Sequence, residues 1–483
     1  MPDSQTSARR ARTGVLIVLV AQLMLVLDAT VVNVALPRIA TDLGFGPATL
    51  SWVLNGYTLA FGGLLLLGGR LGDVLGRLRT FQVGLALFTI ASFVGGLAPT
   101  AGALVAARAA QGVGAALAAP GVLALLTTSA PDEEARRRGY ALFGAVSSGG
   151  ASIGLLLGGL LTDLGSWRWT LWINVPIGLA VLLLAPRFVE ETPRVRGRFD
   201  VLGAVLATSG AVALVYALIE TPTYGWSSDR TLGTAALGLV LLGALAVVET
   251  RVAEPMLRLH LLRSRRRLGS LAVMALVVGG QLSMFFLVVQ FLQRTLGFGP
   301  MASGLAFLPL SLGIFGMSRL TPRLVGRFGA APLMVVGVLG LLVSFVWMSG
   351  VSEQSTYWTT AFGALLVNGL SAGLVFMPVT MTALAGVEPQ DAGAASGMLQ
   401  TFQQLGSAVG VAAIVSVYAA GAVPDAFTPG AREAFLTSAA FASLALLVAL
   451  GLARPRRARD AATGPEADDV PELAATGATP AVA

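Results

Sequence analysis

Long apolar stretches separated by short polar segments run along almost the whole chain. Most are close to the ~20 residues that an α-helix needs to cross the hydrocarbon core of a bilayer. Few polar side chains interrupt them, so the pattern predicts an all-α membrane protein. The fourteen predicted spans are 14–36, 48–69, 80–98, 102–127, 139–161, 169–186, 200–219, 231–249, 268–292, 301–320, 331–349, 357–384, 394–420 and 434–453.

The polar segments divide these spans into groups. The charged segments 187–199 and 250–267 bracket two spans, which we interpret as a hairpin inserted between two six-helix halves. A tail rich in Ala, Pro, Arg and acidic residues, without apolar periodicity, is typical of disorder. The expected organisation is an N-terminal segment 1–13, a half 14–186, the linkers with their hairpin 187–267, a half 268–453 and the tail 454–483.

Composition agrees with a membrane protein. Hydrophobic residues make up 55% of the chain and charged residues only 12%, whereas soluble proteins carry roughly a quarter charged residues. There is no cysteine, and His260 is the only histidine. These counts exclude disulfides, thiolate metal sites and a histidine cluster. We therefore expect no metal and no cofactor.

The arginines predict the orientation of the spans, because the chain has no lysine. With the N-terminus in the cytoplasm, 26 arginines fall in inner segments or at their borders and five in outer segments, and only Arg108 lies deep within a span. Short cytoplasmic loops carry such an excess of positive charge. Both termini are therefore expected inside. The net charge of +7 reports topology rather than nucleic-acid binding.

A short sequence after the second span recurs in degenerate form after the tenth. Residues 69–77 and 322–329 share an arginine–leucine pair followed five residues later by glycine, so that Gly76 aligns with Gly329. Many secondary transporters consist of repeated halves with the site between them near the bilayer midplane. The repeat therefore supports the division into two six-helix halves.

Two charged residues within the predicted spans are the strongest candidates for function. Asp28 lies in the first span and Arg108 in the fourth, where an ionisable side chain is a functional-site hypothesis by default. At 1.5 Å per residue, both lie roughly 9 Å from the outer edge of a core ~30 Å thick, so they can share one level and pair. The alternatives are an acid that bonds a neighbouring helix and an arginine that reaches outward to water.

The loop 69–79 combines glycines with opposite charges. Its glycines at positions 72 and 76 permit a tight turn. Asp73 can interact with a helix N-terminus across the inner end of the bundle, or pair with Arg77 four residues later. The alternative is a solvated loop whose charges only set topology.

Several segments resemble signatures of one family. Residues 27–37 and 173–178 resemble the fourteen-helix drug:proton antiporters of the major facilitator superfamily. The loop 69–79 resembles the superfamily's signature between helices two and three, and residues 108–116 resemble its fourth-helix signature. Residues 403–410 resemble the thirteenth span of the same antiporters.

The fifth span resembles the antiporter motif of the superfamily, a run of spaced glycines that lets helices pack closely and rock. Leu155 follows Gly154 where that motif has proline, which weakens the case for antiport specifically. The packing glycines are Gly150, Gly154, Gly158 and Gly159.

The resemblance implies a major facilitator fold of fourteen helices arranged as six, two and six. It also implies a proton-coupled antiporter that exports small hydrophobic drugs or secondary metabolites by alternating access. Proton coupling would fall to Asp28 and Arg108. A cytoplasmic latch that holds the outward-open state, called the inner latch below, would comprise Gly69, Arg70, Gly72, Asp73, Gly76 and Arg77.

Other polar residues in the spans are candidates for a substrate cavity, although each can instead bond a neighbouring helix. They are Asn33, Gln111, Gln281, Gln290, Asn368, Gln400 and Gln403.

The expected protein is a monomer in the cytoplasmic membrane, and its partners are a small-molecule substrate, protons and membrane lipid, not nucleic acid. One rival keeps the fold but imports a small nutrient, as a facilitator or proton symporter. A membrane-embedded enzyme or sensor is a weaker rival, because the chain offers neither a catalytic constellation nor a soluble domain. We therefore expect no enzymatic activity.

Overall fold

A computed structural model describes residues 4–129, 132–192, 194, 200–252, 259–388, 391–422 and 427–453, and helices fill most of this part. The predicted tail 454–483 and parts of both linkers lie outside the described residues. The helices are α1 (Ser4–Leu43), α2 (Trp52–Leu75), α3 (Arg77–Gly96), α4 (Ala101–Ser129), α5 (Glu133–Leu164), α6 (Trp169–Trp172), α7 (Asn174–Phe188), α8 (Val201–Tyr224), α9 (Asp229–Glu249), α10 (Arg265–Gln290), α11 (Pro300–Ala306), α12 (Leu308–Phe328), α13 (Ala330–Met348), α14 (Gly363–Leu384), α15 (Ala392–Ala420) and α16 (Thr428–Ala453).

The helices confirm an all-α membrane fold. Thirteen helices of the described part are long and apolar enough to cross a bilayer. At the place of the fifth predicted span lies α5, a continuous helix of 32 residues. The predicted count of fourteen is consistent with these helices.

Two predicted spans are interrupted rather than continuous. The sixth consists of α6 and α7, and the tenth consists of α11 and α12, which meet just before Pro309. Proline lacks the N–H that a continuous helix needs, so Pro309 explains where the tenth span is interrupted. The ninth span ends in a π-helical turn, Phe291–Thr295.

The sequence repeat corresponds to a structural one. Gly76 ends α2 with φ of +110°, and its N–H donates to the Gly72 carbonyl at 3.1 Å. Gly329 ends α12 with φ of +83°, and its N–H donates to the Val325 carbonyl at 2.8 Å. A positive φ favours glycine, which explains why both copies keep it.

The hairpin of α8 and α9 packs on both halves through α8. A Cβ added to Gly63 of α2 would lie 2.9 Å from Thr208 Cβ of α8. On the other side, Ser416 Oγ of α15 donates to the Leu218 carbonyl of α8 at 2.6 Å. The hairpin thus covers the line along which α2 and α15 meet.

The end of the bundle that the arginines predict to be extracellular, called the outer end here, is closed by contacts between the halves. Asp163 at the end of α5 accepts hydrogen bonds from Arg38 Nη2 at 3.1 Å and from the Met301 amide of α11 at 2.9 Å. We call this arrangement the outer bridge. Gln293 Nε2 also donates to the Val34 carbonyl at 2.9 Å, which joins the π-helical turn to α1.

Candidate functional site

The two charged residues predicted within spans form one buried ion pair. Arg108 Nη1 donates to Asp28 Oδ2 at 2.6 Å, and the side chains are 1% and 0% exposed. The depth estimate from the sequence therefore placed both residues at the correct level. A buried charge is tolerated only when it is paired and its remaining hydrogen-bonding groups are satisfied.

Three further contacts hold the Arg108 guanidinium. Its Nε donates to the Val53 carbonyl of α2 at 3.0 Å, and its Nη1 also donates to Gln111 Oε1 at 2.9 Å. The Tyr57 ring lies under it, with Cζ 4.6 Å from the ring centroid. These contacts fix the arginine against α2, so the carboxylate on α1 meets a charge in a set position.

Two amides complete the coordination of the carboxylate. Asp28 Oδ1 accepts from Gln111 Nε2 at 2.9 Å and from Asn174 Nδ2 at 2.8 Å. Gln111 Nε2 donates in addition to Ser92 Oγ at 2.7 Å. Helices α4 and α7 therefore bond the acid directly. Helices α2 and α3 join the same network through Tyr57 and Ser92. We call Asp28, Arg108, Gln111, Asn174, Ser92 and Tyr57 the acid cluster.

Sequence reasoning found only part of this cluster. Gln111, predicted to line a substrate cavity, bonds the carboxylate in the structure, and its role in a cavity stays a prediction. Asn174, Ser92 and Tyr57 were not predicted as site residues. Asn174 could have been found, because it is the polar residue of the segment 173–178, which resembles the drug:proton antiporters. Nothing in the sequence distinguishes Ser92 or Tyr57.

Close packing between α3 and α7 sets the position of Asn174. It is the first residue of α7, four residues before Gly178. A Cβ at Gly178 would lie 3.1 Å from Thr89 Cβ of α3. Helix α3 also supplies Ser92 to the acid cluster. Its close contact with α7 therefore places the start of α7 beside the same cluster.

The other predicted cavity residues lie in several environments. Gln281 Nε2 donates to Asn368 Oδ1 at 2.7 Å, so this pair joins α10 to α14. Asn33 donates to carbonyls of its own helix. Gln290 is 1% exposed, Gln403 is half-buried and Gln400 is exposed.

The substrate-cavity assignment of these residues remains a prediction. An apolar cavity of about 270 Å³ lies between α10, α15 and α16, and residues such as Leu276, Phe402 and Phe441 line it. None of the predicted cavity residues lines this space.

The inner latch has the predicted internal pair. Arg77 Nη2 lies 2.7 Å from Asp73 Oδ1, and its Nε donates to the same oxygen at 3.0 Å. In the part of the chain that the structure describes, Asp73 has no hydrogen bond or ion pair with the other half. Glu191 instead caps the start of α3, accepting from the Leu78 and Arg79 amides at 2.9 and 3.2 Å.

The glycines of α5 form two contact surfaces. Gly150, Gly154 and Gly158 lie against α1, where a Cβ at Gly158 would overlap the Val31 carbonyl. Gly159 lies against α11, and its added Cβ would be 2.5 Å from the Pro300 carbonyl. The prediction that these glycines permit close packing agrees with this geometry, which brings α5 onto both halves at the outer end.

Comparison with known proteins identifies the family. A family model described as Major Facilitator Superfamily matches residues 18–411. The chain belongs to the major facilitator superfamily. A puromycin resistance protein of Streptomyces alboniger is 40% identical over 455 residues, which cover 91% of this chain and 90% of that relative. A cephamycin export protein of Amycolatopsis lactamdurans is 40% identical over 424 residues, covering 86% and 87% of the two chains.

Solved structures of the superfamily share the fold. An inward-facing, occupied bacterial homologue of the human lysosomal transporter Spinster matches with a TM-score of 0.65 and 15% identity. The match covers 91% of this chain and 96% of that one. At this identity the likeness shows the fold alone. Together with the sequence relatives, it makes this chain a multi-pass membrane transporter, so its partners include a small-molecule substrate.

Proposed function

We propose that this major facilitator transporter exports small hydrophobic drugs or secondary metabolites in exchange for protons. The acid cluster is the observation that carries the proposal. It holds a titratable carboxylate inside the membrane with one cation and two amide donors, and an intramembrane carboxylate that alternates between proton and cation is a means of coupling. The functions for which the two relatives are named, puromycin resistance and cephamycin export, support the direction of transport.

The proposed cycle uses the acid cluster and both ends of the bundle. With the outer end closed and Asp73 bonded only within its own loop, we infer that the structure represents an inward-facing state. Substrate enters from the cytoplasm, and Asp28 releases its proton inward and pairs with Arg108. After the halves rock, a proton from outside neutralises Asp28 and weakens its attraction to the arginine, which favours release of the substrate.

The remaining features of the proposal follow from the sequence pattern and the relatives. The transporter would act as a monomer in the cytoplasmic membrane, with both termini inside and lipid around the spans. The proton gradient would replace any cofactor, and neither nucleic acid nor enzymatic chemistry enters the cycle. The bacterial origin of the two relatives supports the membrane assignment.

Replacing Asp28 by asparagine tests the proposal. Asn keeps the shape of the side chain and removes its titration, so Asp28→Asn should abolish proton-driven transport while the protein stays folded. The measurement is substrate uptake into inverted membrane vesicles energised by a pH gradient, with puromycin and cephamycin as the first compounds.

Asp42→Asn is the matched control, since Asp42 lies on the same helix but bonds Trp167 and Arg168 near its outer end. This control should transport like the parent. Uptake by Asp28→Asn at the parent's rate would contradict the proposal. Substrate entry into intact cells, driven by protons, would favour the importing alternative.

A further inference from the structure

Asn174 has a hydrogen-bonding capacity that its present contact does not use. Its Nδ2 donates to Asp28 Oδ1 at 2.8 Å, and the residue is 0% exposed. Its Oδ1 is buried and has no hydrogen-bond partner among the described residues. A buried acceptor without a partner is unfavourable, so the unused oxygen beside an ionisable group needs an explanation.

The charged form of Asp28 needs only donors, and it has them. Arg108, Gln111 and Asn174 donate one hydrogen bond each to the carboxylate. The proton-bound form is different, because its O–H must find an acceptor in an interior without bulk water.

Two of the three groups cannot supply that acceptor. Arginine has no acceptor atom. Gln111 Oε1 already accepts from Arg108 Nη1 at 2.9 Å, and its Nε2 donates to Ser92 as well as to the acid, so both ends of this amide are held. The acceptor of Asn174 alone is unused among the groups that bond Asp28 in the described structure.

The Asn174 amide can present either end to the acid. The outer torsion of asparagine is broad and roughly two-fold, so a turn of about 180° exchanges the NH2 group for the carbonyl in nearly the same space. The charged and titratable neighbours of Asp28 are Arg108 from α4 and Tyr57 from α2. On α3 and α5 the facing residues are uncharged, namely Ser92 and the α5 glycines.

We propose that Asn174 is a positioning residue whose amide donates to the charged form of Asp28 and, after turning, accepts the O–H of its proton-bound form. No covalent bond other than that between the proton and the carboxylate forms or breaks. The inference rests on the proposed role of Asp28 as the coupling acid, and extends it to the group that keeps the buried acid hydrogen-bonded in both states.

The test uses the full chain purified in lipid nanodiscs. An infrared difference spectrum between acidic and neutral pH contains the C=O stretching band of each carboxylic acid that becomes protonated. Asp28→Asn identifies the band of Asp28 by removing it. In Asn174→Leu, which has a similar volume but no hydrogen-bonding group, this band should shift because the acid O–H has lost its acceptor.

Transport kinetics provide the second measurement. Asn174→Leu should lower the kcat of gradient-driven transport by about tenfold while the KM for substrate changes less than about threefold, since the lost bond serves the proton step rather than substrate binding. Asn174→Ser, whose hydroxyl can both donate and accept, should give a smaller shift of the band and an intermediate kcat.

Thr170→Val is the matched control. Thr170 is buried four residues before Asn174 and bonds only the Trp167 carbonyl at 2.6 Å, so the band and the kcat should match the parent. An unshifted Asp28 band in Asn174→Leu would overturn the inference, as would equal losses of kcat in the Ser and Leu variants. If the Leu variant does not fold, Asn174→Ala, which also removes the acceptor, takes its place, and an unshifted Asp28 band there is equally contrary.

Failure of the proposed function gives a different result. If Asp28→Asn removes no band, Asp28 does not titrate, and both the coupling role and the role of Asn174 fail. If the band disappears in Asp28→Asn but does not move in Asn174→Leu, only the role of Asn174 fails.

Discussion

Arg108 shows how a single residue can hold a site together. It bonds a carboxylate, an amide oxygen and a main-chain carbonyl, and it stacks on a tyrosine ring. Together with Asn174, which bonds the same acid, these contacts involve the helices α1, α2, α4 and α7. Removal of Arg108 would leave a buried carboxylate without a counterion, which is unfavourable inside a membrane.

We therefore predict that Arg108→Gln lowers the free energy of unfolding by about 3–5 kcal/mol, as expected when one partner of a buried ion pair is removed. The double variant Asp28→Asn with Arg108→Gln should recover part of that loss, because no lone charge remains. Thermal unfolding monitored by tryptophan fluorescence measures both. Arg230→Gln is the control, since this arginine is exposed and bonds two tyrosine hydroxyls. Equal stability of the single and double variants would contradict the pairing argument.

At this scale the sequence predicted the charged residues well and the neutral ones poorly. Asp28 and Arg108 stand out because ionisable residues are rare inside spans. Asn174 and Ser92 have no such mark, because an amide or hydroxyl in a span is as often a contact between helices. Their partners lie 146 and 19 residues away along the chain, and only the packing of the helices brings them together.

Helix α5 is the element that joins the two halves at the outer end. One of its faces lies on α1 through glycines, and Gly159 and Leu155 contact α11 of the other half. The glycines on these faces have no side chains, so the backbones approach closely. The sequence predicted the packing glycines, but it could not show that the neighbouring helices are α1 and α11.

We predict that Gly158→Ala destabilises the transporter by about 1–3 kcal/mol, because its methyl group would overlap the Val31 carbonyl of α1 and force the helices apart. Gly144→Ala on the same helix is the matched control, since an added Cβ there meets nothing within 4 Å. Thermal stability of the purified proteins gives the comparison. Similar losses in both variants would show that helix propensity, rather than contact with α1, governs the effect.

For the molecule as a whole, the proposed cycle places the outer bridge and the inner latch at opposite ends of one conformational equilibrium. Where two conformations differ by only a few kcal/mol, one hydrogen-bonded contact can shift their populations. A sequence pattern can indicate fourteen spans and a repeated loop, but it does not give this balance. That is why the closed outer end, with Asp163 bonded across 138 residues to Met301, was not predicted.

We predict that Asp163→Ala opens the outer end. The substitution removes the acceptor of both Arg38 and the Met301 amide. In a chain without native cysteine, Val34→Cys reports the change, because Val34 is buried beside Gln293. A membrane-impermeant maleimide added from outside should label it several-fold faster in the Asp163→Ala background. Thr41→Cys, exposed near the end of α1, serves as the control that should not change.

We predict that deletion of 200–249 leaves substrate binding in place but lowers the melting temperature. All members of the acid cluster lie outside the hairpin, whereas α8 covers Leu59 of α2 and Ala412 of α15. Removing two spans preserves the orientation of those that follow. Fluorescence titration of the purified protein measures binding. A monodisperse product that binds nothing would contradict the independence of the two halves from the hairpin.

The burial of a single carboxylate at mid-span has an electrical consequence. The other buried acids of the described part, Asp200, Glu249 and Asp391, lie at helix ends. Under the proposed cycle, in which Asp28 exchanges one proton, export of a neutral compound would carry one positive charge inward, which the membrane voltage favours by ~2.3 kcal/mol per 100 mV. Export of a monovalent cation for the same proton moves no net charge, so only the pH difference drives it. The charge on the exported compound thus determines whether the membrane voltage drives its export. Valinomycin with potassium, which removes that voltage, should slow the export of neutral compounds and leave the export of cations unchanged.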